Sequence, residues 1–258
     1  MRSLVALLFA SLLAGCAVGV RQLPDESGQP QKLVFQRPGL SPQNGGQLIS
    51  AAELRPGDII LSAADGITST GIRLFTLAPV SHAAVYLGDD EIAEAVGEGV
   101  RVRKVAEVLA DESVVVAFRR NDLSVVQAAE IRRFAEAQVG QRYNYVGVLL
   151  LAPFSLERRL CDLPVLPGMV RDGCLRGLAT IQLGTSNNER FFCSQFVLEA
   201  YARAGLPITD ANSRWVSPAD IMHMREDDVP SIRATQPLVY VGHLKFQPPP
   251  PVERVVQR

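Results

Sequence analysis

Between Asp58 and Arg119 the chain passes through five short stretches rich in valine, isoleucine and alanine: 58–61, 81–87, 91–96, 99–105 and 113–119. Glycine or acidic residues separate most of them, and the turn Arg55-Pro56-Gly57 precedes the first. Segments of this length, with no room for crossover helices between most of them, predict an antiparallel meander. Helical periodicity takes over afterwards. Ser124 with Gln127 forms a capping-box start, and Ala128, Ile131, Phe134, Ala135 and Val139 recur on one face before Gly140, which predicts a helix over 124–139. A second helix is predicted near 190, with Phe196, Val197, Ala200, Tyr201 and Ala204 as its buried face, Gly205 as its cap and Pro207 as its stop. Residues 239–246 (VYVGHLKF) alternate like a closing strand. Strands followed by helices in unequal mixture define an α+β fold.

The ends set the boundaries of this domain and its compartment. Arg2 precedes an apolar run, Leu4 to Leu13, which is shorter than the about 20 residues needed to span a bilayer. It ends in Leu13-Ala14-Gly15-Cys16, which resembles the lipobox of bacterial lipoproteins. The resemblance implies a signal peptide over 1–15, lipidation of Cys16 and an N-terminal lipid anchor in the membrane. Ala17, where an aspartate would signal retention at the inner membrane, implies an outer-membrane lipoprotein facing the periplasm. Residues 16–45, rich in Pro, Gly and Gln, read as a tether, and the prolines from Pro248 begin a tail over 248–258. The folded domain is expected over 46–247. A formal charge of -1 offers no electrostatic footprint for nucleic acid.

Of four cysteines, Cys16 is assigned to lipid, so Cys161, Cys174 and Cys193 remain. Cys193 lies in the sequence FFCSQFVLEAYARAG, at the start of the second helix, with Asn187, Asn188 and Glu189 before it as candidate caps. A helix N-terminus favours an anion, and the thiolate is the reactive form of cysteine. The same backbone amides suit the oxyanion of an attacked carbonyl. The competing reading is a small buried hydrophobe, because Cys193 shares the inward face of Val197 and Tyr201. His82 opens the apolar stretch 81–87, where an imidazole needs a polar partner, and Glu94 stands between apolar neighbours in the next stretch. With Gly88-Asp89-Asp90 as a three-residue loop, Leu87 faces Glu91, Ala84 faces Glu94 and His82 faces Val96. His82 and Glu94 then share a face as diagonal neighbours, whereas a two-residue loop separates them.

Pro56-Gly57-Asp58-Ile59-Ile60, Ser81-His82, Tyr86-Leu87-Gly88-Asp89, Ala93-Glu94-Ala95 and Gly99-Val100 resemble the first half of the permuted NlpC-type papain-like cysteine hydrolases. Gly140-Gln141-Arg142-Tyr143-Asn144-Tyr145, Phe192-Cys193-Ser194-Gln195 and Val216-Ser217-Pro218-Ala219-Asp220 resemble its second half. The similarity spans about residues 52 to 225 and is strongest to the YiiX/YebB-like and YaeF-like bacterial set. It implies a circularly permuted papain-like fold, with an antiparallel sheet or barrel packed against the helix that bears the cysteine. It also implies Cys193 as nucleophile, His82 as general base and Glu94 as the group that orients the ring. Ser81, Ser194 and Tyr143 are expected at the substrate face, Tyr143 as cleft wall or oxyanion donor or else as a core aromatic. The chain departs from the family at Gln195, where many members carry an acid.

Cys161 and Cys174 fall in an apolar stretch between Tyr145 and Phe191 that either caps the cleft or completes the core as a helical hairpin. A disulfide closing this loop is favoured, worth roughly 3 kcal/mol; a zinc site with a histidine is the alternative. The expected function is a thiol hydrolase that cleaves an amide or ester through a thioester, without cofactor or metal. Its substrates are peptidoglycan peptides or lipid acyl groups. An acyltransferase with the same residues and a non-catalytic binding lipoprotein are the rivals.

Overall fold

The computed structural model describes residues 46–64, 69, 78–142, 161, 170, 173–174, 192–225 and 232–246 in full, and the backbone of 18–21 and 32–35. Within the segment expected as a tether, Val18–Arg21 (β1) and Lys32–Phe35 (β2) pair antiparallel, with Val18 opposite Phe35. Both are short runs of strand-forming residues.

The domain is built on a six-stranded antiparallel sheet of Ile59–Ala64 (β3), His82–Gly88 (β4), Glu91–Val96 (β5), Gly99–Lys104 (β6), Glu112–Arg119 (β7) and Val239–Phe246 (β8). The strand order is β6-β5-β4-β3-β7-β8. The meander is therefore β3 to β6, and β7 returns to the free side of β3. Between β6 and β7 lies a helix that strand-like alternation conceals, Val105–Asp111 (α1). The stretch expected as strand over 99–105 accordingly ends at Lys104, where Glu107 reaches back to the Lys104 backbone N–H at 2.7 Å and starts the helix.

Val125–Ala137 (α2) begins with the expected capping box, in which the Ser124 hydroxyl accepts from the Gln127 N–H. Cys193–Arg203 (α3) ends as its sequence predicts: Gly205 takes φ +71° and the Leu206 N–H donates to the Tyr201 carbonyl, closing a Schellman motif. Pro218–His223 (α4) is capped by Ser217 and Asp220 reciprocally.

The alternation of β4 divides the core. Ala83, Val85 and Leu87 pack with Phe196, Val197, Ala200 and Tyr201 of α3 and with Ile131 and Ala135 of α2. Ala84 and Tyr86 face the other way, onto Ile92, Val105, Val108, Val115 and Leu54. Helices α2 and α3 meet through Phe134 stacked on Phe196, with centroids 6.0 Å apart. The sheet edges are covered: His243 of β8 exchanges backbone bonds with Gln47 and Ile49, and Val100 of β6 does so with Gly140 and Gln141.

The β4–β5 connection differs from expectation in means but not in outcome. The turn has two residues, Asp89 and Asp90, both left-handed (φ 53° and 61°), and Gly88 pairs with Glu91 after a bulge beyond Tyr86. The bulge restores the register that a three-residue loop would produce, so Ala84 stands opposite Glu94. Leu87, expected opposite Glu91, is the residue left over. Arg132 of α2 holds this turn, donating to the Leu87 and Gly88 carbonyls and to Glu91.

Candidate active site

Cys193 is the first residue of α3 and is 5% exposed. Phe192 occupies the N-cap position and supplies no side-chain cap. Asn187, Asn188 and Glu189, expected as caps, lie outside the described residues and are too far along the chain to take the N-cap position. The first-turn amides of α3 therefore have no side-chain acceptor from the cap residue, which leaves them suited to an oxyanion.

The α3 N-terminus lies against the start of β4 and brings the Cys193 thiol within interaction range of His82. The far side of the ring is held as well: Nε2–H donates to Glu94 Oε2 at 2.8 Å. With Nε2 on the carboxylate, Nδ1 is the nitrogen left for the thiol. Burial by itself pushes the imidazole toward its neutral form. The interactions with Cys193 and Glu94 outweigh burial and raise the His82 pKa well above 6.5.

Glu94 is 1% exposed and carries more than the histidine. Arg101, directly opposite on β6, donates through Nε at 2.9 Å and places Nη2 2.8 Å from Oε1. Arg103, two residues on along the same face, brings Nε to 2.8 Å of Oε1 as an ion pair, but its N–H is not aimed at the oxygen and makes no hydrogen bond. Burial would raise the carboxyl, yet His82 and the two guanidinium groups hold it down at about 2. The acid is thus a permanent anion at neutral pH. Neither arginine was singled out in the sequence; the signal for both is the β5–β6 register, which sets them across from a lone buried acid.

Ser81 is buried and its hydroxyl lies 2.7 Å from that of Ser69. Ser194 departs from expectation. It is fully buried and its hydroxyl donates to the Val216 carbonyl at 2.6 Å, so it ties α3 to the segment before α4 instead of facing a substrate. A side chain on the inward face of a helix, one residue from Cys193, finds an internal acceptor. Gln195 is buried with Oε1 lacking a partner among the described residues. Tyr143 and Cys16 lie outside the described residues. Cys161 and Cys174 are joined in a disulfide, Cα–Cα 5.8 Å, which removes both sulfurs from the alternative zinc site. Cys193 is the free cysteine among the described residues.

The turn motif Pro56-Gly57-Asp58 has a structural explanation. Asp58, 1% exposed, accepts from Arg119 at 2.7 and 2.6 Å and from the Arg55 N–H at 2.8 Å. Gly57 takes φ +92° beneath the Tyr201 hydroxyl, which donates to its carbonyl, and a Cβ there would collide with Leu123. This network anchors the start of β3 to α3, and so fixes the sheet against the helix that carries Cys193.

A thiol, an imidazole and a buried carboxylate thus meet where a helix N-terminus adjoins the antiparallel sheet of an α+β protein. No family model matches the chain. It is 38% identical over 244 residues to "Probable lipoprotein peptidase YaeF" of Escherichia coli (strain K12), covering 91% of this chain and 89% of that protein. The chain belongs to the YaeF-like family. The crystal structure of the metalloprotein YiiX from Escherichia coli O157:H7 superposes with a TM-score of 0.44 and 19% identity, over 76% of this chain and 99% of YiiX.

Proposed function

We propose that the protein is a thiol hydrolase of the bacterial envelope, a circularly permuted papain-like (NlpC-type) enzyme that cleaves amide bonds through a thioester on Cys193. One observation carries the reading. The free thiol at the N-terminus of α3 lies within interaction range of an imidazole whose Nε2 is held 2.8 Å from a buried carboxylate. In this scheme the Cys193 sulfur attacks the substrate carbonyl carbon, and the α3 amides receive the developing oxyanion. His82, holding the proton from the thiol, delivers it to the leaving nitrogen as the C–N bond breaks. Water, deprotonated by His82, then displaces sulfur from the thioester, releasing a carboxylic acid and restoring the thiol. Glu94 keeps Nε2 protonated, so that Nδ1 faces the sulfur throughout.

A relative named a probable lipoprotein peptidase supports a peptide substrate and a lipid anchor. With the lipobox-like Leu13-Ala14-Gly15-Cys16 it supports a reading in which lipidated Cys16 anchors the chain at the outer membrane, facing the periplasm and cell-wall peptides. Incubation of the purified protein with soluble peptidoglycan fragments, followed by mass spectrometry, tests the reaction. The expected result is cleavage at a peptide amide, lost in Cys193→Ala. Cleavage undiminished in Cys193→Ala would refute the thiol mechanism. Acyl-ester hydrolysis without peptide cleavage would move the substrate class to lipids. Palmitate incorporation that survives Cys16→Ala would refute the anchor.

A further inference from the structure

A second carboxylate stands beside the pair just described and has no part in the chemistry so far assigned. β7 pairs with β3 so that Ala63 lies opposite Val114 but Ala64 lies opposite Glu112. Ser113 is the extra residue of the bulge, and its hydroxyl is spent on the Ala63 carbonyl at 2.8 Å. Without the bulge Ser113 would stand opposite Ala64 and Glu112 would turn to the other face of the sheet. With it, Glu112 joins the face of Ser62 and Ala64, and Ser62 stands directly opposite His82. Bulges re-aim side chains in this way beside active sites. Ser62, diagonal to Glu112 on that face, favours its charged form, while Glu112 Oε2 is buried with no hydrogen-bond partner among the described residues. A buried orphan carboxylate oxygen is costly, so its retention calls for a use.

We propose that Glu112 is a positioning residue of the thiol site, whose charge, aimed at His82 across Ser62, sustains the imidazolium that pairs with the Cys193 thiolate. This rests on the thiol-hydrolase reading above.

The need for such a group follows from the state of Glu94. Its Oε1 is shared with Arg101 and Arg103, so part of the field that it would exert on His82 is cancelled and two fixed positive charges lie near the ring. Glu112 offsets them. The groups that act on it stand on four strands of the sheet: Ser62 on β3, His82 on β4, Glu94 on β5 and Arg103 on β6. Lys245 of β8 is turned away to the Leu109 carbonyl. Burial and the charge of Glu94 raise the Glu112 pKa, and His82, Arg103 and Ser62 oppose that rise. A carboxyl poised in this way responds to the charge of the imidazole, which alternates during the proposed cycle.

The test is the titration of His82 in the full-length protein in detergent, labelled with 13C-histidine and followed by NMR, for the wild type, Glu112→Gln and Glu112→Asp. Glutamine keeps the shape but loses the charge; aspartate keeps the charge. The expected result is a His82 midpoint lowered by about half a unit to one unit in Glu112→Gln and largely restored in Glu112→Asp. A Glu112→Gln curve that superimposes on the wild type, with thermal stability unchanged or reduced, overturns the proposal and leaves Glu112 a structural residue. The parent reading is tested separately by Cys193 alkylation in His82→Ala: an unaltered alkylation rate overturns that reading whatever the Glu112 titration shows.

Discussion

His82 and His243 stand on the same sheet, both largely withdrawn from water, and titrate in opposite directions. His82, at the start of β4, is held between a thiol and a buried carboxylate, and its pKa is raised well above 6.5. His243, on the edge strand β8, is 3% exposed; its Nδ1 lies 2.7 Å from the Tyr240 hydroxyl, and its ring packs edge-on to Tyr240 and Phe246. Burial lowers its pKa to about 4. The comparison separates two effects that burial usually mixes. A dry environment disarms an imidazole, and it is the adjacent anions, not seclusion, that turn one into a proton carrier. A neutral hydroxyl satisfies the ring of His243 without supplying charge, so that side chain serves as a polar filler between aromatic rings.

The comparison predicts a steep hierarchy of effects. Replacing His82 by Ala is expected to lower peptide cleavage by about a thousandfold or more with the fold intact, whereas His243→Gln leaves cleavage within about twofold. Steady-state rates with a peptidoglycan fragment, beside circular dichroism spectra, check both. Equal losses in the two variants would erase the distinction. Next in size is Glu94→Gln. It removes the anion but not the bulk, frees the ring to take the wrong tautomer and leaves Arg101 and Arg103 facing a neutral amide. A loss of about 100-fold or more in cleavage is expected, together with a fall of the His82 midpoint measured by NMR. A His82 that still titrates well above 6.5 in this variant would mean that Cys193 alone sustains the imidazolium.

The two histidines also write opposite signs into the pH dependence of stability. The folded pKa of His82 lies above the unfolded one, so its contribution is fully present below pH 6.5 and is lost as pH rises through the raised folded value. His243 has a folded pKa of about 4 against 6.5, so its contribution is present above pH 6.5 and is lost as pH falls through 4, by about 3 kcal/mol in all. Glu94, held at about 2, adds a further loss between pH 4.5 and 2. Urea titrations across pH are therefore expected to show the slope between pH 6.5 and 4 flattened in His243→Gln, and that between pH 4.5 and 2 flattened in Glu94→Gln. An unchanged slope in His243→Gln would show that the ring takes up its proton without cost.

Much of this arrangement was legible in the chain. The apolar stretches, the Ser124 cap and the Gly205 stop each carry local signals that match the elements formed, and the opposition of Ala84 to Glu94 follows from the spacing of two strands. The route to that register was not legible, because a left-handed Asp89-Asp90 turn compensated by a bulge at Leu87 leaves the same count as a simple three-residue loop. Helix α1 was hidden since seven residues with Val105 and Val108 inward are too few to show a helical period against strand alternation. The arginines around Glu94 and the aim of Glu112 depend on registers and a bulge that only the assembled sheet defines. Ser194 illustrates the converse error: adjacency to Cys193 in sequence says little about which way a helical side chain faces.

The smallest effect is expected at the hydroxyl that distinguishes His243 from His82. Tyr240 joins β8 to its neighbours through one oxygen: it lies 2.7 Å from His243 Nδ1 and accepts from the Gln47 N–H at 3.1 Å. Tyr240→Phe keeps the ring that packs against Phe118 with centroids 6.0 Å apart, so the apolar contact survives and only the polar contacts go. A loss of about 1–2 kcal/mol is expected, because the buried imidazole nitrogen is left without a partner. Cys193 alkylation should keep its wild-type rate and pH profile, since no charge near His82 changes. Differential scanning calorimetry and iodoacetamide labelling measure the two halves of this expectation. A labelling profile displaced in Tyr240→Phe would show that the edge strand and the thiol site are coupled through the sheet, and the contrast between the two histidines would then belong to one connected network.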